Sequence, residues 1–261
     1  MKICTFNVNS VRAREELLLK WLEKRGRDID VLCLQEIKVT EDKFPRQAFE
    51  GLGYQCTVFG QQRYNGVAVC SKEGAQQVVT GFGDEDWDQQ KRIMHCRIGD
   101  VTVVNVYAPH GDLRGSEKYI YKQKWYRYFF EYLQRNFSPS DPLVVVGDLN
   151  VALEDLDVHA PELLEDTVCT MPEERRWLQD VLDWGLVDSF RHLNPDAQSF
   201  TWWDYVGGAI WQDKGMRIDY ILCSKPLVGK MAEVEVDLWP RRRRTPKPSD
   251  HAPVILSLNK K

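Results

Sequence analysis

The chain alternates strand-like apolar runs with amphipathic segments. Residues 29–34 are almost continuously apolar, which is typical of a strand covered on both faces. Residues 15–24 place Leu18, Trp21 and Leu22 on one face, which predicts an amphipathic helix. Residues 54–106 carry short β-rich runs interrupted by glycines, and this spacing predicts a meander of strands.

Two further helices are expected in the second half of the chain. Residues 116–137 repeat large apolar side chains at helical spacing, and residues 172–184 form a shorter segment that Gly185 ends. No linker, repeat or low-complexity tract divides the chain, so the pattern favours one α/β domain over residues 1–261. The number of strands suggests two sheets, one from each half, packed face to face with helices outside.

Polar residues stand where the apolar runs begin or end. The end of a strand lies at one edge of its sheet, so residues far apart in sequence can meet there. Amide and carboxylate oxygens suit Mg²⁺ or Mn²⁺, and a histidine beside a carboxylate suits proton and charge transfer. The candidates for such a site are Asn7, Glu36, Tyr107, Asp148, Asn150, Asp219, Asp250 and His251.

Glu36 follows a buried strand, where a carboxylate without a cation or a donor is unfavourable. A salt bridge to Lys38 is the structural alternative to metal binding. Asn7 either takes part in the same site or caps the helix that follows it.

Asp148 and Asn150 are separated by one residue, so in an extended chain both side chains point to the same side. Such a pair can hold a water molecule, with Asp148 as general base and Asn150 as the group that orients the water. An Asx-turn after a strand is the structural alternative. His251 stands next to Asp250, and a carboxylate bonded to imidazole favours the imidazolium.

The net charge of −4 argues at first against a nucleic-acid partner. The distribution of the charges argues otherwise, because four consecutive arginines stand just before Asp250 and His251. We expect this run to contact phosphate. Solvated side chains are the alternative for each arginine taken alone. The run consists of Arg241, Arg242, Arg243 and Arg244.

Seven cysteines are scattered through the chain, mostly in apolar runs, and none forms a Cys-x-x-Cys pair. We therefore expect buried free thiols in a reducing cytoplasm rather than a disulfide framework or a zinc site. No run approaches the roughly 20 apolar residues that span a membrane, and no secretory signal is visible at the start of the chain.

Six motifs, in order, resemble the exonuclease III family of apurinic/apyrimidinic (AP) endonucleases, part of the endonuclease/exonuclease/phosphatase superfamily. They occupy residues 7–9, 34–38, 105–109, 147–150, 217–220 and 247–253, and the resemblance runs from residue 2 to residue 258. It implies a four-layered α/β sandwich, in which two packed mixed β-sheets are flanked by helices.

The resemblance also implies a function and roles for the candidate residues. The expected enzyme is a monomeric, Mg²⁺-dependent nuclease, with Mn²⁺ as a substitute. It would cut duplex DNA 5′ to abasic sites and trim blocked or ordinary 3′ ends as a 3′→5′ exonuclease. The implied metal shell comprises Asn7, Glu36, Asp148, Asn150, Asp250 and His251.

Other implied roles concern the DNA. His251 would pair with Asp219 and bind the phosphoryl oxygen, and Tyr107 would present its hydroxyl to the scissile phosphate. Arg92 would face the DNA strand. Trp202 or Trp203 would wall a pocket for the base-less sugar, although core packing claims at least one of two adjacent tryptophans.

Three residues depart from the family pattern: Ser10 in place of a glycine, His110 in place of an amide, and Met216 in place of leucine or tryptophan. None of them removes a catalytic group. Two alternatives remain, a phosphoinositide phosphatase or sphingomyelinase-type hydrolase and a catalytically inert regulator. The tryptophan-rich segment argues against the first, and the intact set of acidic residues argues against the second.

Overall fold

Two six-stranded sheets form the centre of the computed structural model, which describes residues 1–259. The first sheet contains, in spatial order, β11 (Met231–Val236), β12 (Val254–Leu258), β1 (Lys2–Asn7), β2 (Val31–Gln35), β4 (Val67–Ser71) and β3 (Gln55–Phe59). The second contains β5 (Gln76–Thr80), β6 (Ile93–Ile98), β7 (Val101–Tyr107), β8 (Leu143–Asp148), β10 (Asp219–Ser224) and β9 (Leu186–Asp188).

Helices connect the strands and cover the outer faces of the sheets. The α-helices are α1 (Val11–Lys24), α2 (Arg46–Glu50), α3 (Glu85–Asp88), α4 (Glu117–Asn136), α5 (Pro161–Leu164), α6 (Pro172–Asp183), α7 (Ser189–Leu193) and α8 (Lys225–Val228). Short 3₁₀ segments lie at Glu41–Lys43, Asp155–Asp157 and Val206–Gln212. The Ser116 side chain caps α4 by accepting a hydrogen bond from the Tyr119 amide.

Three apolar clusters account for the four layers. The inner faces of the two sheets share one cluster, which includes Ile3, Val69, Val103 and Val144. Helix α1 packs on the outer face of the first sheet through Leu18, Trp21 and Leu22. Helices α4 and α6 cover the outer face of the second sheet through Trp125, Phe129 and Leu178. The predicted four-layered α/β sandwich is confirmed.

The division of strands between the sheets differs from the sequence-based prediction. Strands β11 and β12 return to the first sheet, where Val254 pairs with Thr5 of β1. Residues 54–106 are not one meander, because β3 and β4 belong to the first sheet and β5, β6 and β7 to the second. Apolar periodicity shows that a strand is buried but not which partner buries it, so the assignment of one sheet to each half of the chain is wrong.

The cysteine prediction is wrong for one pair. Cys56 and Cys70 lie directly opposite each other on β3 and β4 and form a disulfide. Fourteen residues separate them in sequence, and only the strand register brings their Cα atoms to 4.0 Å. The other five cysteines are free and buried. Across residues 1–259, the helices are all too short or too polar to cross a membrane.

Candidate active site and nucleic-acid interface

The strand directions bring the predicted polar residues to one edge of the sandwich. Strand β1 runs parallel to β2, and β7 runs parallel to β8. All four of these strands end at this edge. Strand β10 runs antiparallel to β8 and begins there, so that Asp219 pairs with Asp148. Tyr107 at the end of β7 is the register partner of Asp148 on its other side. The common edge follows from topology and gathers residues from position 7 to position 251.

Glu36, Asp148 and His251 form the centre of the site. One ligand atom from each of them lies within 4.8 Å of the other two. The side-chain amide of Asn7 lies between the carboxylates and donates to Glu36 Oε1 at 2.9 Å and to Asp148 Oδ2 at 2.8 Å. Asn7 therefore holds the two carboxylates in place, while Ser10 caps α1, so the helix-capping alternative for Asn7 is excluded.

Glu36 is ionised at neutral pH in this arrangement. Burial acts to raise the pKa of its carboxyl, but the Lys38 ammonium and the hydrogen bond from Asn7 outweigh burial and lower the pKa. Lys38 Nζ lies 2.8 Å from Glu36 Oε2. The salt bridge between Glu36 and Lys38, considered as the alternative to metal binding, is thus present. The ionised carboxylate of Glu36 also meets the requirements of a metal ligand.

His251 pairs with Asp219 and not with its sequence neighbour Asp250. The distance from His251 Nδ1 to Asp219 Oδ2 is 2.8 Å, and His251 Nε2 lies 3.7 Å from Asp148 Oδ2. Burial alone would lower the pKa of His251, but the carboxylates of Asp219 and Asp148 outweigh it and raise the pKa to about 10. The imidazole is therefore a cation at neutral pH, with Nε2 directed toward the cluster.

Asp148 carries a raised pKa. Burial is the main cause and the Asp219 carboxylate adds to it, while His251 and the Asn7 amide oppose it. A buried carboxylate of this kind accepts a proton more readily than an exposed aspartate does.

Asn150 reaches the site through a turn rather than through extended chain. Its φ is 52°, and its backbone N–H donates to Asp148 Oδ1 at 3.0 Å, which makes an Asx-turn. The expectation that both side chains share one face of an extended strand is wrong, because the chain leaves β8 at Asp148. The Asn150 side-chain amide donates to the Ala108 carbonyl at 2.9 Å, and the buried Lys122 ammonium holds the Asn150 carbonyl at 2.7 Å.

Tyr107 and Arg92 lie together beside Glu36. Burial, with the Glu36 carboxylate next, raises the pKa of Tyr107, although the Arg92 guanidinium opposes the rise. Tyr107 is therefore a neutral hydrogen-bond donor. The Arg92 guanidinium lies 4.7 Å from the centre of the Tyr107 ring and donates to the Tyr107 carbonyl. This contact fixes Arg92 at the rim of the site.

Asp250 lies next to the cluster without joining it. Its Oδ1 accepts from Asn9 at 2.9 Å and its Oδ2 from the Trp202 indole at 3.2 Å. Among residues 1–259, the group of three acidic or histidine side chains whose ligand atoms all lie within 4.8 Å of one another is Glu36, Asp148 and His251. Asp250 is not part of that group, and its role as a metal ligand stays a prediction.

The two adjacent tryptophans have different environments. Trp203 is buried, packs against Phe200 and donates to Asp213, so the prediction that it contacts DNA is wrong. Trp202 is half-buried and forms β-bridges with both His251 and Met216. Trp202 is thus the tryptophan of the pair that lies at the site, because side chains of neighbouring extended residues point in opposite directions.

The arginine run also divides. Arg241 is 4% exposed, and its guanidinium donates to the carbonyl oxygens of Trp203 and Asp250. The expectation that Arg241 contacts phosphate is therefore wrong, because its donors are used inside the protein. The next three arginines are exposed and remain candidates for contact with phosphate; they are Arg242, Arg243 and Arg244.

Several residues outside the predicted catalytic and metal-binding set hold the site together. Asn9 and Lys38 adopt positive φ angles and are joined by a hydrogen bond of 2.6 Å. Lys122 is fully buried and paired with Glu174. Arg217 is buried between Asp157 and Asp188 and fixes the chain just before Asp219. From sequence alone, a charged residue of this kind is expected on the surface. Only its tertiary partners show that it is buried.

Comparison with known proteins agrees with this geometry. Residues 4–251 match the Endonuclease/Exonuclease/phosphatase family. The chain is 38% identical to exodeoxyribonuclease III from Haemophilus influenzae, over 97% of this chain and 98% of that protein. An AP endonuclease structure from Archaeoglobus fulgidus superposes with a TM-score of 0.95 at 38% identity, covering 100% of both chains. The 3′ phosphatase NExo from Neisseria, solved with a product DNA hairpin, superposes at 0.93 and 36% identity, also over 100% of both chains.

The chain belongs to the endonuclease/exonuclease/phosphatase family. The full-length identity to exodeoxyribonuclease III places it in the exonuclease III branch of AP endonucleases, as the motifs indicated. Two of the three departures from that branch's pattern lie on the edges of the site. Ser10 adopts φ 87° at the start of α1, and Met216 pairs with Trp202.

His110 is the third departure and follows Pro109 just after β7. Its Nδ1 lies 3.3 Å from the Gly111 carbonyl oxygen. Burial first, and then the Lys122 ammonium, lower the pKa of His110. In this branch of the family, His110 is therefore a neutral replacement for the usual amide.

Proposed function

We propose that this protein is a Mg²⁺-dependent DNA-repair nuclease. It hydrolyses the phosphodiester 5′ to an abasic site in duplex DNA and also removes nucleotides or blocking groups from 3′ ends. The observation that carries the proposal is the buried cluster of Glu36, Asp148 and His251, with Asn7 bridging the carboxylates and Asp219 behind the imidazole. Both reactions are attack by water on a phosphodiester with a 3′-oxygen leaving group, so one site serves for both.

The donor set fits a hard divalent cation. Glu36 presents a carboxylate whose protein partners at the site are the Asn7 amide and the Lys38 ammonium. Asp219 Oδ1 is buried without a hydrogen-bond partner, which indicates that a group is missing from the site. We propose Glu36 as the principal Mg²⁺ ligand, with Mn²⁺ as a substitute; the bound ion would offset negative charge on the phosphate oxygens.

Water is activated by Asp148 and positioned by Asn150. Asp148 is held by Asn7 on one oxygen and by the Asn150 N–H on the other, so a lone pair of the carboxylate has a fixed direction. The His251 imidazolium, 3.7 Å from Asp148 Oδ2, favours the ionised form of Asp148 that takes the proton from the attacking water. The Asn150 amide nitrogen donates to the Ala108 carbonyl, and its side-chain oxygen, whose protein contact is a weak one with Cys169 Sγ at 4.0 Å, would accept a hydrogen bond from that water.

Positive charge and neutral donors meet the phosphate. His251 is held as a cation by Asp219 and donates from Nε2 to a phosphoryl oxygen, where charge grows in the transition state. Tyr107 donates a hydrogen bond from its hydroxyl to the phosphate, since its raised pKa keeps the phenol protonated. Arg92 lies at the rim of the site and would face the neighbouring part of the DNA strand.

The substrate is duplex DNA with an abasic site or a blocked 3′ end. Trp202 stands at the site as one wall of a pocket for a base-less sugar, and Arg242, Arg243 and Arg244 contact phosphates. We propose a monomeric enzyme that acts in the cytoplasm, where its five buried free cysteines stay reduced.

The test is incision of a labelled duplex that contains one tetrahydrofuran abasic analogue, with Mg²⁺, with Mn²⁺ or with EDTA. Cleavage just 5′ to the analogue that requires the metal supports the proposal, and an intact duplex in parallel reports 3′-end trimming. Binding without cleavage under either metal would indicate an inert regulator. Neither binding nor cleavage would redirect the search to phospholipid and small phosphoester substrates.

A further inference from the structure

A buried ion pair joins helices α4 and α6. Lys122 Nζ lies 2.6 Å from Glu174 Oε1, and both side chains are completely buried. Burial of two charges costs free energy, and an apolar pair of similar volume often joins two elements equally well or better. The stability of the helix pair alone therefore does not explain why both residues are charged.

The other donors of the ammonium are directed at the active site. A lysine ammonium has three N–H donors, and one of them goes to Glu174. The second donates to the Asn150 carbonyl at 2.7 Å and the third to the His110 carbonyl at 3.0 Å. Asn150 stands just after β8, and His110 stands just after β7, the strand that ends in Tyr107. Lys122 thus joins the segments that follow the two central strands of the site.

Four consecutive carbonyl oxygens after β8 are held by side chains from other elements. The chain has left the sheet there, so these carbonyls take their donors from side chains. The pairs are the Tyr126 hydroxyl with Leu149, the Lys122 ammonium with Asn150, the Tyr220 hydroxyl with Val151 and the Arg175 guanidinium with Ala152. The path of this segment is therefore set by residues outside it, and Lys122 is the one that holds Asn150.

Asn150 needs this support because of its backbone conformation. Its φ is 52°, in the left-handed region that residues with a Cβ rarely adopt, although asparagine does so more readily than most. The hydrogen bond from its side-chain amide to Ala108 fixes one end of the residue, and the bond from Lys122 to its carbonyl fixes the other. With both ends held, the direction of the Asn150 side-chain oxygen is fixed as well.

Gly111 packs directly on the ion pair. Its φ is 82°, and a Cβ at this position would lie 3.0 Å from Lys122 Cδ and 3.6 Å from Glu174 Oε1. Only glycine allows the backbone to approach the pair this closely in that conformation. The turn after β7 thus covers the pair and shields the ammonium from solvent, so water does not compete for its acceptors.

We propose that Lys122 and Glu174 form a positioning pair for catalysis, in which Lys122 holds Asn150 in the conformation that aims its side-chain oxygen at the attacking water. Glu174 in turn holds Lys122. This inference rests on the proposed function. Neither residue touches the substrate, so both act through Asn150. Loss of the pair should lower kcat and leave KM nearly unchanged, because the water is misplaced while the contacts with DNA remain.

The first test removes both charges in Lys122→Met/Glu174→Leu, called the charge-free variant. It is expected to remain folded in urea denaturation, because an apolar pair of similar volume replaces the ionic pair. Its kcat on the abasic duplex with Mg²⁺ should fall about 10- to 100-fold, with KM within about threefold, as expected when a group that orients a reactant is displaced. Lys122→Met alone is the second variant; it removes the three donors, keeps Glu174 and should show the same loss of kcat.

A double-mutant cycle tests whether the pair acts through Asn150. Asn150→Ala should lower kcat by itself, and adding the charge-free substitutions should lower it no further than about twofold. Val181→Ala is the matched control, because Val181 is also buried on α6. It should lower the urea midpoint through a cavity in the core and leave kcat unchanged.

A crystal structure of the charge-free variant gives a readout that does not depend on activity. Asn150 is expected to lose its left-handed φ, or to turn its side-chain oxygen away from Asp148, once its carbonyl has lost the ammonium. Lys122 and Glu174 are remote from the DNA, so the structure of the free protein is sufficient.

Four outcomes overturn the inference. Full kcat in the folded charge-free variant would show that the charges do not position the water. Losses that multiply in the cycle would show that the pair acts independently of Asn150. An equal loss of kcat in Val181→Ala would reduce the effect to lower stability. An unchanged Asn150 in the crystal structure would remove the link between the pair and the site.

The proposed function fails separately from this inference. Wild-type protein that does not cut the abasic duplex with Mg²⁺ would remove the nuclease assignment, while the crystal structure would still show whether the pair holds Asn150. Normal cleavage by both the wild type and the charge-free variant would remove only the positioning pair.

Discussion

The side-chain amide nitrogen of Asn105 lies 3.1 Å from the carbonyl oxygen of Leu34, so a single side chain links the two sheets. The same nitrogen donates to the Ala68 carbonyl at 2.9 Å, and the Asn105 oxygen accepts from Gln35 at 2.7 Å. Asn105 is completely buried. Gln35, the last residue of β2, precedes Glu36 directly, and Asn105 lies two residues before Tyr107 on β7, so the link sets the distance between the two halves of the site.

Asn105→Ala is expected to lower the free energy of unfolding by about 2–4 kcal/mol, because buried partners on the first sheet lose a donor and an acceptor. Urea denaturation followed by circular dichroism measures this change. Asn136→Ala is the matched control, since Asn136 is an exposed amide on α4 and should change stability by less than about 0.5 kcal/mol. Equal effects at the two positions would show that the link between the sheets contributes nothing.

Asp148→Asn is expected to reduce kcat by about 10²–10⁴-fold, the usual contribution of a general base. Affinity for uncut abasic duplex in EDTA should change little, because asparagine keeps the shape of the side chain. Single-turnover cleavage and fluorescence anisotropy measure the two quantities. Asp155→Asn, at an exposed carboxylate, serves as the control. Undiminished cleavage by Asp148→Asn would remove the assigned base.

Replacement of Arg242, Arg243 and Arg244 with alanine should weaken DNA binding and flatten its dependence on salt. Each phosphate contact that is lost lowers the slope of log K against log salt by about 0.9. Arg241 is not replaced in this triple variant, because its guanidinium donates to carbonyl oxygens inside the protein. Arg127→Ala on α4 controls for loss of surface charge. An unchanged slope in the triple variant would exclude these arginines from the interface.

Ser10→Gly is expected to raise the free energy of unfolding by about 1 kcal/mol. Ser10 adopts φ 87° and ψ 103°, a conformation that is unfavourable for any residue with a Cβ by about 1–3 kcal/mol. Its capping hydrogen bond to Ala13 is long, at 3.4 Å, so removal of the hydroxyl sacrifices little. Ser10→Ala keeps the strain and loses the cap, and should therefore destabilise. Stabilisation by both substitutions would contradict the assignment of strain to φ.

The pH dependence of stability should carry a contribution from His95. Burial lowers the pKa of His95, whose Nδ1 lies 2.8 Å from the Tyr132 hydroxyl. The folded pKa lies below the unfolded value of 6.5, so the stabilisation is fully present above pH 6.5 and is lost as pH falls through the folded pKa. The wild type should therefore lose stability between pH 7 and pH 5 faster than His95→Gln, as measured by urea denaturation at each pH. Parallel pH profiles would assign the acid sensitivity to other groups.

The sequence predicted which candidate catalytic residues lie together, but it misplaced two of the expected DNA contacts. Glu36, Asp148 and His251 follow or precede buried strands, and the edge of a sheet necessarily gathers such positions. Trp203 and Arg241 were misplaced because their environment depends on residues far away in sequence. The carbonyl oxygens that hold Arg241 come from Trp203 and Asp250, and four consecutive arginines give no sign that one of them faces inward.

The layers of the fold were predicted, whereas the distribution of strands was not. The resemblance to known motifs supplied the four-layered sandwich, while periodicity alone gave an α/β domain. The apolar character of β12 is the same whichever sheet it joins, so its pairing with β1 depends on tertiary packing. The same reason explains Cys56 and Cys70, which meet because of strand register and not because of spacing in sequence.

The return of β12 to the side of β1 has a consequence for protein synthesis. Asn7 and Glu36 leave the ribosome early, but His251 stands just before β12 and is made after nearly all the rest of the fold. A nascent chain that lacks this segment has the acidic residues without the imidazole cation and without the strand that places it. Nuclease activity that depends on His251 is therefore expected only after translation has passed β12.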